Sequence, residues 1–166
     1  MPSPVVVGVD GSQPAQDALA WAAGYAAERD APLHVVTVYG PTEERNPHSM
    51  AQGGGIAGAE ELKAQAQLAA QWREQQDKWT YDRAIGRIHR MLDALEGGRP
   101  TDVTPVAVEG TRPSRVLIEA ARGADLLVVG ARGRGGFAGL VLGSVSQQLA
   151  SHAPCPLTIV RGVDTP

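Results

Sequence analysis

Four large aliphatic residues in a row, Leu126 to Val129, run directly into a loop of glycine and arginine. An unbroken apolar run of that length suits a strand buried on both faces, as in a parallel sheet covered by helices. The loop, Gly130-Ala131-Arg132-Gly133-Arg134-Gly135-Gly136, leads on to Gly143-Ser144-Val145-Ser146 and then to Gln147, Gln148, Leu149 and Ala150, which read as the start of a helix. Strand, glycine loop and helix amino terminus together make a place for an anion, because the backbone can approach closely and N–H groups without helical partners point outward. The pattern predicts a phosphate site. Gly133, Gly135 and Gly136 taken alone would suit a flexible connector as well; the weight comes from the spacing Gly130, two residues, Gly133, nine residues, Gly143, Ser144. No Gly-Lys-Ser or Gly-Lys-Thr of a Walker A loop occurs, so the loop's positive charge comes from Arg132 and Arg134.

The rest of the chain alternates strand and helix patterns. Val5-Val6-Val7-Gly8-Val9 predicts a first strand closed by the turn Asp10-Gly11-Ser12. Ser12 can cap a helix with Pro14 in its first turn, on which Ala15, Ala18, Leu19, Ala22 and Ala26 share one face; it should end near Arg29 or Asp30. Leu33 to Tyr39 is the second strand, and strand, helix, strand at this spacing is a right-handed crossover. Residues 41–58 have the composition of a loop. Ala59 to Lys78 is rich in helix formers but has a thin apolar face, whereas Ile85, Ile88, Leu92 and Leu95 give a sharper stripe from about Asp82 to the stop at Gly97-Gly98. A single helix from Ala59 to Glu96 would be ~57 Å long, against ~30 to 40 Å for a domain of this size, so a break is expected at Thr80 to Asp82.

Thr101 to Glu109 is the third strand, and Pro105 assigns it to an edge, because proline cannot donate to a ladder. Val116, Leu117, Ala120 and Ala121 make a short helical face ended at Gly123. A helix of about Gly143 to His152, a break at Pro154-Cys155-Pro156 and a fifth strand, Leu157 to Arg161, complete the chain. Five strands and four helical connections describe an α/β fold with an open parallel sheet, read as one domain over residues 1–166 with an extended insert at about 41–81.

Ligands of open parallel sheets bind beyond the carboxyl ends of the strands where strand order reverses. Asp10 ends the first strand and Gly130 the fourth; if the two are neighbours, a carboxylate faces the phosphate loop across a crevice, suiting a ribose hydroxyl on one side and phosphates on the other. From its chemistry alone Asp10 reads equally well as a turn residue that helps to cap the next helix.

The glycine spacing with its Gly-Ser pair resembles the nucleotide-binding signature of the universal stress protein family. Val-Gly-Val-Asp-Gly-Ser at residues 7–12, Val-Thr-Val-Tyr at 36–39 and His-Ala-Pro-Cys-Pro-Leu-Thr-Ile-Val-Arg at 152–161 extend the resemblance, which covers residues 4–40 and about 100–162 and, more loosely, 82–96. It implies a Rossmann-like sheet of order 3-2-1-4-5 with helices on both faces, a regulatory role in the stress response, and binding of ATP or another adenine nucleotide with Mg²⁺. Gly8 and Val9 would bind the nucleotide beside Asp10, which would hold the ribose or a phosphate-bound Mg²⁺. Val38 would meet adenine through its backbone, and Gly130, Arg132, Gly133, Gly143, Ser144, Val145 and Ser146 would form the phosphate and ribose cradle. The resemblance also implies a homodimer paired antiparallel through Leu157 to Arg161. The stretch from Pro41 to Tyr81 is longer than the family usually carries, and Gly110-Thr111-Arg112-Pro113 is one residue longer than its usual Gly-X-Pro turn.

Other classes fit less well. A formal charge of −3 supplies no basic face for nucleic acid. One cysteine excludes an internal disulfide; the amino terminus lacks the pattern of a signal peptide, and no apolar run approaches the ~20 residues that span a bilayer, so a cytoplasmic protein without a membrane partner is expected. No catalytic residue is assigned: nothing is recognisable as orienting water and no Walker lysine is present, so nucleotide binding with slow or no turnover is expected. His34, His48, His89 and His152 have no metal-ligand spacing, and Cys155 reads as a packed residue more simply than as a redox switch. The alternatives are a slow ATPase or nucleotide transferase, a cyclic AMP binder, and a nucleotide-independent protein that meets an unknown partner through residues 41–81. Trp72 and Trp79 suit such a partner face, or simple anchoring to the rest of the chain.

Overall fold

A computed structural model of the chain describes residues 2–40, 59–96, 100–133 and 142–162. In chain order these form β1 (Val5–Val9), α1 (Gln13–Glu28), β2 (Leu33–Tyr39), α2 (Ala59–Asp93), β3 (Val103–Glu109), α3 (Pro113–Ala120), β4 (Leu126–Gly130), α4 (Ser144–His152) and β5 (Leu157–Val160). The strands are parallel and lie in the order β3-β2-β1-β4-β5. β1 is central, with Val7 opposite Val35 on one side and Val128 on the other. The chain winds outward from β1 through β2 to β3, then returns to the other side of β1 for β4 and β5, so strand order reverses between β1 and β4.

The two-residue period of the strands divides the aliphatic residues between two layers. Val5, Val7, Val9, Leu33, Val35 and Val128 pack with Leu19, Ala22, Ile88 and Leu92 of α1 and α2. Val6, Val36, Leu127 and Val129 pack on the other face with Leu117 of α3 and Leu149 of α4. Both layers need continuous apolar strands, which is why Val5 to Val7 and Leu126 to Val129 do not alternate with polar residues.

Local chemistry sets the element ends. Ser12 caps α1, its hydroxyl accepting from the Ala15 N–H, with Pro14 in the first turn. Ala15, Ala18, Ala22, Ala23 and Ala26 are buried, and their small side chains let the helix lie close on the sheet. α1 stops where expected, at Arg29 and the left-handed Asp30 (φ 50°), a conformation that aspartate tolerates. Pro105 sits on the edge strand β3 opposite Val35, as read from the sequence.

The expected break at Thr80 to Asp82 does not occur: α2 is one helix of 35 residues. The length argument assumed that both halves must cover the sheet. Instead Ala84, Ile88, Met91 and Leu92 of the second half are buried, while Lys63, Ala66, Gln67, Leu68, Ala70 and Gln71 of the first half are exposed, so the width of the sheet does not limit the helix. No proline interrupts it, and the polar, helix-forming composition that thinned its apolar face also suits it to solvent. The loop at 41–58 and the stop at Gly97-Gly98 lie outside the described residues. Among the described residues no helix is long and apolar enough to cross a membrane.

Candidate functional site

The crevice forms at the carboxyl ends of β1 and β4. Asp10 follows the last paired residue of β1, and its Oδ1 accepts from both the N–H (2.9 Å) and the hydroxyl (2.6 Å) of Ser12. The turn role is therefore real, and it uses one carboxylate oxygen. The other, Oδ2, faces the glycine loop: a Cβ added to Gly133 would lie 2.6 Å from it. The two readings of Asp10 are thus complementary, with one oxygen holding the turn and the second directed at the loop.

On the β4 side the close approaches are backbone to backbone. A Cβ at Gly130 would lie 2.7 Å from the Pro14 carbonyl oxygen in the first turn of α1, so only glycine fits. The two ends of the loop are tied together at Ala131. Its carbonyl accepts the Gly143 N–H (2.8 Å), and the Ser146 hydroxyl lies 2.8 Å from it and 3.0 Å from the Gly143 carbonyl. Ser146 is 2 % exposed, so its side chain closes the loop, and what it presents to the crevice is backbone. Gly143 is the N-cap of α4 and offers no side chain of its own to the first turn. The N–H groups of Ser144, Val145 and Ser146 have no helical carbonyl to bond, and the positive end of the helix lies there.

These elements enclose a cleft of about 290 Å³, close to the lower end of the range for small-molecule sites. Each residue singled out from the sequence lines it: Gly8, Val9, Asp10, Val38, Gly130, Arg132, Gly133, Gly143, Ser144, Val145 and Ser146. Arg134, Gly135 and Gly136 lie outside the described residues. The cleft also has an apolar part that sequence reasoning missed, made by Val36, Val129, Pro113 and Leu117. Val36 was findable, since it shares a strand face with Val38; Leu117 was not, because it comes from a helix whose position the sequence does not give. Gly8 makes room for it, as a Cβ there would lie 2.8 Å from Leu117 Cδ1.

A second missed residue stands behind the site. Arg87 of α2 donates from Nη1 to the Asp10 carbonyl at 3.4 Å, across 77 positions of sequence. The Ser114 hydroxyl donates to the Gln148 side chain and joins α3 to α4. Away from the cleft, Cys155 packs half-buried against the α3/α4 layer, and burial pushes its thiol pKa up, which suits a packed residue more than a reactive one. His152 Nδ1 lies 3.0 Å from the Gln148 carbonyl in the last turn of α4, and His48 is outside the described residues. No group of three or more metal-ligating side chains occurs among the described residues.

The cleft thus combines apolar side chains, a carboxylate and a helix amino terminus, groups that can meet an apolar ring, a hydroxyl and an anion. The model of the universal stress protein family matches residues 1–161. Universal stress protein Rv2624c of Mycobacterium tuberculosis is 32% identical over 163 residues, which are 98% of this chain and 50% of the relative. Universal stress protein Rv2028c of the same organism is 34% identical over 161 residues, 96% of this chain and 48% of the relative. The chain thus spans about half the length of these curated relatives. Among solved structures, a universal stress protein in complex with cAMP is 27% identical with a TM-score of 0.55, covering 97% of this chain and 98% of its own. The universal stress protein UspA from Lactobacillus plantarum, 18% identical with a TM-score of 0.63 and covering 97% and 99%, has the same fold.

Proposed function

The chain belongs to the universal stress protein family, and from that premise we propose that it binds an adenine nucleotide, ATP with Mg²⁺, between β1 and β4 and acts as a regulator in the stress response, with slow or no hydrolysis. One observation carries the reading: a single cleft joins an apolar part (Val36, Leu117, Val129) to a helix amino terminus and a glycine pair packed against backbone and carboxylate. Adenine stacks in the apolar part, where the Val38 backbone supplies hydrogen-bonding groups at the ring edge. The phosphates sit on the N–H groups of Ser144, Val145 and Ser146 and near the Arg132 guanidinium, where free donors and positive charge converge.

Asp10 meets the ribose or a nucleotide-borne Mg²⁺. One carboxylate suits a magnesium ion that keeps waters and phosphate oxygens as its other ligands, and does not suit an all-protein metal cage. Bound there, the ion would neutralise phosphate charge. Slow turnover is the reading that fits the cleft: donors for phosphate oxygens, but among its described lining residues no second carboxylate or glutamine to orient a water.

Cyclic AMP is the second reading, since the 27%-identical solved relative holds it. Calorimetric titration with ATP, ADP, AMP and cyclic AMP, each with and without Mg²⁺, separates the two. ATP is expected to bind at micromolar Kd or tighter and to gain from Mg²⁺. Preference for cyclic AMP, indifferent to Mg²⁺, would install the second reading, and no affinity tighter than millimolar for any of the four would remove both.

A further inference from the structure

We infer that Arg87 is a positioning residue for the cleft: from α2 it holds the Asp10 carbonyl and so fixes the turn that aims the Asp10 carboxylate at Gly133. The inference rests on the adenine-nucleotide reading of the cleft. Asp10 lies one residue past the Val9–Thr37 pair and two past the Gly8–Val129 pair, beyond the end of both ladders. Within the turn, Ser12 holds one carboxylate oxygen. Those bonds join residues two apart, and they set the shape of the turn without setting where it sits over the sheet. Arg87 supplies that reference from another element. At 3.4 Å the bond is long, and its role here is to tie the turn to α2.

The donor itself is well seated. Ala84 and Ile88, on either side of Arg87 in α2, are 1 % and 0 % exposed in the core. One turn further on, Gln16 of α1 donates to the Met91 carbonyl at 2.9 Å, so the helix that follows the Asp10 turn is also pinned to α2. Arg87 does not line the cleft, and its bond to the Asp10 carbonyl is a link from α2 to a residue that does. The same link ties the binding site to the helix on which Gln67 and Leu68 are exposed.

The test is calorimetric titration of ATP with Mg²⁺ into the full chain and its variants, with the melting temperature of each unliganded variant as a folding control. Arg87→Met keeps the apolar stem and removes the donors; a loss of about tenfold in affinity is expected, the size of one charge-assisted hydrogen bond. Arg87→Lys should fall between Arg87→Met and wild type, because it restores charge and a donor without the planar fork. Arg90→Ala, which removes the same charge one turn-fraction away on α2, should bind as wild type. In an Asp10→Asn background, which keeps the carbonyl that Arg87 holds but removes the carboxylate charge that the turn aims, Arg87→Met should add nothing.

Wild-type affinity in Arg87→Met, an equal loss in Arg90→Ala, or full additivity with Asp10→Asn would each overturn the inference while leaving the nucleotide reading intact. Should Arg87→Met not fold, Arg87→Lys decides: weakened binding supports the role and unchanged binding rejects it. Absence of any adenine-nucleotide binding by the wild-type chain would instead fail the reading of the cleft, and this inference with it.

Discussion

At the scale of single residues, two glycines of the same loop have different neighbours and so different consequences. Gly130 is pressed against the Pro14 carbonyl and Gly133 against the Asp10 carboxylate. Backbone cannot give way cheaply, whereas a side chain can rotate. Gly130→Ala is therefore expected to cost about 1 to 3 kcal/mol of stability, the range for overpacking, seen as a lower midpoint in urea denaturation. Gly133→Ala should lower that midpoint less, the cost being the Asp10–Ser12 bonds that the displaced carboxylate loosens, and weaken nucleotide binding tenfold or more, because that carboxylate is the one directed at the cleft. Equal midpoints for the two variants would contradict the distinction. The glycines themselves were legible in the sequence, because an anion loop constrains residue type and spacing locally. Leu117 and Arg87 were not: each reaches the site from a helix far away in the chain, and no short-range pattern records that approach.

At the scale of elements, strand patterns and helix caps were read nearly to the residue, because burial on both faces and capping chemistry leave local marks. α2 was the exception. Its expected break came from comparing helix length with domain width, a constraint that applies only to a helix lying flat on the sheet over its whole length. The structure relaxes that condition, with Leu68 of the first half 56 % exposed and Ile88 of the second half fully buried. The two halves should respond differently to truncation. Ile88→Ala is expected to cost about 2 to 5 kcal/mol through lost burial and a residual cavity, while Leu68→Ala should stay within about 0.5 kcal/mol, as surface changes do. Urea denaturation of the two variants checks both, and a Leu68→Ala loss as large as that of Ile88→Ala would mean that the first half of α2 is covered in solution.

At the scale of the whole molecule, alternating strand and helix patterns made a parallel α/β sheet legible, and Pro105 marked one edge of it; the full strand order came from the family resemblance, since crossover directions leave no mark in local sequence. The two sheet edges are not equivalent. β3 carries Pro105, which removes a donor and blunts that edge, but β5 carries Leu157, Thr158, Ile159 and Val160 with no proline or charge. Leu157 and Ile159 pack inward on the α3/α4 layer and Val160 on the other, so the strand is firmly placed while, among the described residues, no strand lies beside its outer row of N–H and C=O groups. A rigid, apolar, unblunted edge is a template for another strand, and antiparallel pairing with β5 of a second copy satisfies both edges at once through a two-fold axis. A homodimer is expected in sedimentation velocity at micromolar concentration. Thr158→Lys tests the route: in a two-fold antiparallel pair, residues near the axis meet their own copies, so the substitution brings like charges together across the pairing, and lysine is a common guard of free edges. The variant should sediment as a monomer and still bind nucleotide, because β5 lies outside the cleft lining. A wild-type monomer would remove the proposed dimer, and a variant that remains dimeric would move the interface away from β5.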